Sequence, residues 1–277
     1  MNLPNKIGII LILLLGWGNA LLAQSDSVQA TPNGLMTEVA LSLLNIPYEA
    51  NTLEGNEEER LVVNLEAMDC LTFVENCLAL SHTLLQHFSS DTIDFARHLQ
   101  YIRYRNGIIL GYTSRLHYMT DWIANNIKKG VVEDLTNALG GKKFQPQVNF
   151  MSSHPELYPA LRENPQEVET MKKIEKAINQ RQNYYYIPTH EIKEKQSRIK
   201  SGDIVCFTTN RPGLDISHIG IAYWHKSQLT FIHASAVQKK VIINPESLVD
   251  YCGRIKNNTG IMVLRPLLVN RDTGLSL

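Results

Sequence analysis

The chain has 277 residues, of which 44% are hydrophobic and 19% charged, with 27 Lys plus Arg against 27 Asp plus Glu. That composition supports a sizeable globular core and excludes a disordered chain. The even charge balance leaves no electrostatic footprint for nucleic acid or for an anionic membrane.

The N-terminus reads as an export signal. Lys6 supplies the positive charge, Ile7 to Leu15 the apolar run, and Gly18-Asn19-Ala20 or Leu21-Leu22-Ala23 a small residue at the cleavage point. Residues 1–23 are therefore expected to be a signal peptide and 24–277 a single exported domain, periplasmic by destination, with no stable membrane insertion after cleavage. The apolar run is short for a spanning helix, which needs about 20 residues, and an uncleaved anchor is the alternative.

A polar leader from Gln24 to Asn33 precedes an apolar stretch from Leu35 to Leu44, expected to be a helix that Pro47 stops. Tyr48 follows, either an ordinary half-buried tyrosine or a site residue. Next comes Asp69-Cys70-Leu71-Thr72-Phe73-Val74-Glu75. The aspartate before an apolar-periodic run is a helix N-cap signal, so Cys70 should be the first residue of a largely buried helix. Unpaired N–H groups and the macrodipole at that end favour the thiolate, which predicts a pKa lowered from about 8.5 toward neutrality. Cys77 on the same helix reads as core, and at about 1.5 Å of rise per residue it stands too far from Cys70 for a disulfide. Cys206 and Cys252 are open either to pairing or to burial as free thiols.

The middle of the chain reads as an insertion over roughly residues 90–200. It begins with a helix from Asp91 to Arg105, a turn at Asn106-Gly107 and a short strand at Ile108 to Leu110. The aromatic and basic stretch Tyr112 to Trp122 either lines a pocket or packs as a loop, and runs into a helix ending at Lys129. Arg115 there has the planar fork that suits a carboxylate, with Tyr118 beside it. Loop and strand follow from Asp134 to Asn149, then a proline-rich excursion with a charged helix from Gln166 to about Gln180. His154 and His190 fall in loops and read as solvated.

From Ile187 the pattern changes to short alternating runs, with strands expected at Asp203–Thr208, Ser217–Trp224, Leu229–Ala236, Lys240–Asn244 and Gly260–Arg265. The fold class is α+β, with one antiparallel sheet coiled as a half-barrel. On the second strand His218, Gly220 and Ala222 share one face, and a tight turn at His225 to Gln228 should bring His233 of the next strand roughly opposite His218. A nucleophilic thiolate needs an imidazole to take and return its proton and a third polar group to orient that imidazole. Cys70, His218 and His233 supply those parts.

In this order Asp69-Cys70, Ser201-Gly202-Asp203-Ile204-Val205-Cys206-Phe207, Ser217-His218-Ile219-Gly220-Ile221-Ala222 and Phe231-Ile232-His233-Ala234 resemble the core motifs of NlpC-type papain-fold peptidases, which are bacterial cell-wall hydrolases. The resemblance runs from Ile46 to Arg265. It implies Cys70 as nucleophile, His218 as base, His233 as orienting residue and Tyr48 at the substrate end of the site. The family pattern has Ser-Gly after the cysteine. Leu71-Thr72-Phe73-Val74-Glu75 replaces it here, and with the insertion this is similar to the N-acetylmuramoyl-L-alanine amidase-like branch. The implied partners are peptidoglycan fragments, (anhydro-)muropeptides of cell-wall recycling; separately, the residue types of the insertion make Arg115, for a stem-peptide carboxylate, and nearby Tyr118 the candidate substrate-binding residues, and no cofactor or metal is expected. Competing readings are a stem-peptide endopeptidase of the same fold and a non-catalytic muropeptide-binding module. A zinc amidase is disfavoured, because no His-Glu-x-x-His run is present and His218 with His233 lacks a third ligand.

Overall fold

A computed structural model describes residues 31–86 and 92–267. The expected signal peptide, residues 1–23, lies outside the described residues. Helix α1 spans Pro32–Ser42, beginning earlier than its apolar run because Thr31 caps it and a proline occupies its first turn. Cys70 opens α2, Cys70–Gln86, followed by α3, Thr92–Arg103, and α4, Met119–Lys128. Helix α5, Pro165–Gln180, is capped by Asn164, and α6, Leu248–Arg254, by Ser247. No described helix is long and apolar enough to cross a membrane.

Eight strands form one antiparallel sheet, which makes the fold α+β. They are β1 Val132–Asp134, β2 Lys142–Phe144, β3 Tyr184–Pro188, β4 Ile204–Thr209, β5 Ile216–His225, β6 Gln228–Ser235, β7 Lys240–Ile243 and β8 Asn258–Pro266. Their order is β2-β3-β8-β4-β5-β6-β7, with β1 also paired to β8. The five strands expected from alternation are β4 to β8. The other three come from the middle region, where strands of three to five residues are too short to carry a period. Ile108 to Leu110 is not a strand: Leu110 is 77% exposed and its N–H is held by Ser114 Oγ.

The sheet separates two apolar layers. On one face Phe73, Val74, Cys77 and Leu78 of α2 pack on Cys206, Ile219, Ile221 and Ile232. On the other, Val205, Phe207, Ala222 and Phe231 pack on Leu248 and Cys252 of α6. Each fully buried side chain of this kind contributes about 1.5–3 kcal/mol. Cys206 and Cys252 belong to opposite faces, and all four cysteines are free. The charged helix α5 is more than a surface excursion, since Met171, Glu175 and Ile178 are buried on it.

Helix α2 is buried on nearly every side, so Glu75 has no route to water. Its carboxylate accepts from Arg103 Nε at 2.7 Å and from Trp122 Nε1 at 3.1 Å, while Arg103 Nη1 donates to the Val62 carbonyl at 2.6 Å. One carboxylate thus docks both α3 and α4 on α2. Lys129, at the end of α4, donates to the carbonyls of Tyr101, Ile102 and Tyr104 and so caps α3; burial pushes its ammonium pKa down to about 7.

Glu75→Ala should leave the Arg103 guanidinium buried without its charge partner and cost about 3–5 kcal/mol in urea unfolding at neutral pH. Replacing Arg103 with Met in the same protein should recover part of that loss. A single-variant cost below about 1 kcal/mol would show that the pair does not anchor the helices.

Candidate active site

Asp69 and Thr72 cap each other at the start of α2. The Thr72 N–H donates to Asp69 Oδ1 at 2.8 Å, and the Asp69 N–H donates to Thr72 Oγ1 at 2.9 Å. This reciprocal pair ties down the first turn and presents Cys70. The N–H groups of Ile219, Cys70 and Leu71 bear on the sulfur and favour its thiolate. They do not prevail. Burial, reinforced by the Asp69 carboxylate, pushes the Cys70 thiol up to about 12, opposite to the lowering expected from the helix terminus. The resting sulfur is a thiol chiefly because it is desolvated, and the aspartate that caps the helix adds to this by repelling a second negative charge.

His218 on β5 and His233 on β6 are brought together, with Nε2 of His218 at 2.7 Å from Nδ1 of His233. They are not directly opposite. The β5–β6 ladder ends at Ile221↔Ile232, and that register carried one step further sets His233 against Gly220. A Cβ on Gly220 would lie 2.9 Å from the Ile232 carbonyl and 3.3 Å from His233 Cβ, so only glycine lets the two imidazoles meet across the strands. Burial lowers the pKa of His218 to about 4 and, with His218 alongside, that of His233 to about 3. Both rest neutral. With Nε2 of His218 turned to His233, Nδ1 is the ring nitrogen that this contact leaves over, and the N–H of the adjacent Ile219 bears on the Cys70 sulfur.

Tyr48 sits beside this group. Its segment pairs with Met68 just before the cysteine helix, and its phenol pKa is raised by burial and by the neighbouring Cys70 and Asp69. Tyr251 is a neighbour that the sequence did not reveal. Its ring on α6 lies 6.4 Å from that of His218, 6.3 Å from His233 and 4.8 Å from Phe231, and Phe207 completes the aromatic wall at 5.6 Å from His218. A short helix between strands has no pattern that points at a histidine pair. Its only signal was an aromatic residue at the seam of two elements.

Arg115 and Tyr118 line one small pocket with Thr113, His117 and Asp121, and both are also engaged by groups of their own chain. Arg115 is 5% exposed, with Nη2 2.7 Å from Glu54 Oε1 and Nε 3.3 Å from Glu59 Oε1. Its fork is committed to two carboxylates of its own chain. Tyr118 donates to Glu175 Oε1 at 2.8 Å and accepts the Met151 N–H at 2.9 Å, and Trp122 is wholly buried. The stretch Tyr112 to Trp122 therefore packs α5 and the Glu54 loop onto the helices. His154 stacks on Phe150 and bonds its carbonyl, while His190 is exposed. Among the described residues no group of three or more His, Cys, Asp or Glu is arranged to hold a metal.

The N-acetylmuramoyl-L-alanine amidase-like family matches residues 38–261. A crystal structure of an N-acetylmuramoyl-L-alanine amidase from Bacteroides uniformis is 39% identical, covers 85% of this chain and 98% of its own, and superposes with a TM-score of 0.81. A Bacteroides fragilis protein provisionally called a xylanase is 43% identical, with 83% and 99% coverage and a TM-score of 0.79. The Legionella pneumophila protein LPG0564 shares the fold at 20% identity, with 95% of each chain covered and a TM-score of 0.69. None of the curated proteins matches the chain.

Tyr251 should hold the histidines out of water. In an NMR titration the His218 imidazole should stay neutral down to about pH 4. Tyr251→Leu should move that midpoint toward the ordinary imidazole value of about 6.5, and Tyr251→Phe should not. Stability should fall over the same window, because below about pH 6.5 the unfolded chain takes protons that the buried imidazoles refuse. A midpoint unmoved in Tyr251→Leu would relegate the ring to ordinary packing.

Proposed function

The chain belongs to the N-acetylmuramoyl-L-alanine amidase-like family, and from that premise we propose that it is a cysteine amidase that frees the stem peptide from the sugar of (anhydro-)muropeptides. The observation that supports this reading most is the 2.7 Å contact between His218 and His233, on the strand whose Ile219 N–H bears on the Cys70 sulfur. In this reading the fold is the NlpC type of papain-like domain, with Cys70 at the head of the central helix. The catalytic domain spans residues 24–277, carries an insertion over roughly 90–200, and works in the periplasm after loss of residues 1–23.

The chemistry starts from two neutral groups. A thiol at about 12 beside an imidazole at about 4 does not form an ion pair at rest, so the proton leaves sulfur only as sulfur bonds to the amide carbon. His218 Nδ1 takes that proton, and His233 holds the ring and shares the positive charge through Nε2. The N–H groups at the start of α2 stabilise the oxygen that gains charge. His218 then gives the proton to the departing alanine amine, leaving a thioester on Cys70. Water, deprotonated by His218, attacks the thioester carbon; the carbon–sulfur bond breaks, the muramoyl carboxylic acid leaves, and His218 returns the proton to the sulfur. A stem-peptide endopeptidase would use the same steps on another bond, and a binding module would need none of them. The glycosidase name carried by one relative calls for two carboxylates flanking a sugar bond. The carboxylate next to Cys70 is that of Asp69, and it is engaged as a helix cap.

Incubation with defined muropeptides should release free sugar and an intact stem, identified by mass. Cys70→Ser should abolish this with the fold intact, His218→Ala should remove it almost wholly, and His233→Ala should leave a residue of activity. A shortened stem still bound to the sugar would favour the endopeptidase, and full turnover by Cys70→Ser would end the thiolate reading.

The pH profile should be unusual on its acid side. Because His218 is lowered to about 4, the neutral base persists below the ordinary imidazole range, and kcat/KM should fall only as pH drops through about 4. Initial rates across pH 3.5 to 8, about the range where imidazole titrates, provide the check. An acid limb at about 6.5 would mean that the working imidazole is solvated.

A further inference from the structure

A ligand bearing a carboxylate needs a cation that is not already paired, and Arg115 is not one. Lys239 is. Among the described residues its ammonium has no carboxylate partner and lies 5.9 Å from the centroid of the Tyr48 ring. Tyr48 pairs with Met68, two residues before Cys70, and the Met68 N–H donates to the Pro47 carbonyl at 3.0 Å, so this charge lies against the segment that enters the cysteine helix.

The backbone holds it there. The Tyr48 N–H donates to the Lys239 carbonyl at 2.9 Å, and on the same seam Val241 N–H donates to Ile46 O at 2.8 Å and Asn45 N–H to Val241 O at 2.9 Å. The turn between β6 and β7 is thereby fastened along the Ile46–Tyr48 segment, a few residues past His233. Lys239 has φ 56, a left-handed conformation that glycine or asparagine adopts at less cost. Lys240 turns the other way, with Nζ on Asn45 Oδ1 at 2.8 Å.

We propose that Lys239 is a cationic subsite beside Tyr48, pairing through its ammonium with the glutamate carboxylate of the stem peptide, one residue beyond the scissile amide. This deepens the amidase reading and rests on it. Lys239 acts on specificity and takes no part in moving the proton.

The test compares N-acetylmuramoyl-L-alanyl-D-glutamic acid with its isoglutamine form, in which that carboxylate is a primary amide. The wild type should prefer the acid by about tenfold in kcat/KM, the usual scale of one charge-assisted hydrogen bond. Lys239→Met should bring the ratio near one, through KM with kcat held. Lys239→Asn, which suits the left-handed turn, should do the same, and Lys239→Arg should retain the preference. A ratio unchanged in the Met and Asn variants, or a wild type that does not distinguish the probes, overturns the Lys239 subsite while an inactive Cys70→Ser leaves the thiolate reading standing. Wild-type turnover by Cys70→Ser brings both down.

Discussion

The carboxylate of Glu75, buried inside the helix that Cys70 opens, is the constraint to which the rest of the packing answers. A charge in that position is tolerable only if it is paired and hydrogen-bonded. Arg103 and Trp122 meet that requirement from two different helices, and the guanidinium in turn reaches the Val62 carbonyl in the segment leading to Cys70. The orientation of α2 relative to α3, α4 and its own entry loop therefore comes from one polar cluster, and apolar packing on Cys206, Ile219 and Ile221 then sets its depth on the sheet. A hydrophobic residue in place of Glu75 would bury well but would leave the three segments without a shared orientation.

At the head of that helix two demands oppose each other. An ordered first turn calls for the Asp69–Thr72 cap, and the cap places a negative charge beside the sulfur. Backbone N–H groups act the other way, but burial joins the aspartate and the thiol stays protonated. The histidines obey the same logic with the opposite sign, since burial keeps them uncharged. In the proposed mechanism, a site assembled from neutral partners would separate charge only when a substrate carbonyl is present to accept the sulfur.

The two basic residues considered for the substrate show how partners decide function. Arg115 has the right shape for a carboxylate and meets two within its own chain, Glu54 and Glu59. Those acids lie in a polar stretch that reads as solvated loop, so nothing local marks them as partners for a residue some 60 positions away. Lys239 has no motif at all. Its distinction lies in a turn conformation and a backbone seam with Tyr48, neither of which is written in residue type.

Much of the architecture was legible in local pattern. Alternation located β4 to β8, the Asp69 cap located the start of the cysteine helix, and the Gly220 gap beside His218 pointed to a second group on that face, because these signals depend on neighbours within a few positions. The short strands β1 and β3 escaped, and β2 was expected only as an unplaced strand within Asp134 to Asn149, since three to five residues paired to a distant edge owe their conformation to that edge. The protonation of Cys70 and the place of Tyr251 also belonged to the tertiary structure alone. The sequence by itself determined the elements on which Cys70, His218 and His233 stand. Only the fold decided their charge and their partners, because desolvation and ion pairing depend on what surrounds a group in space and not on what adjoins it in the chain.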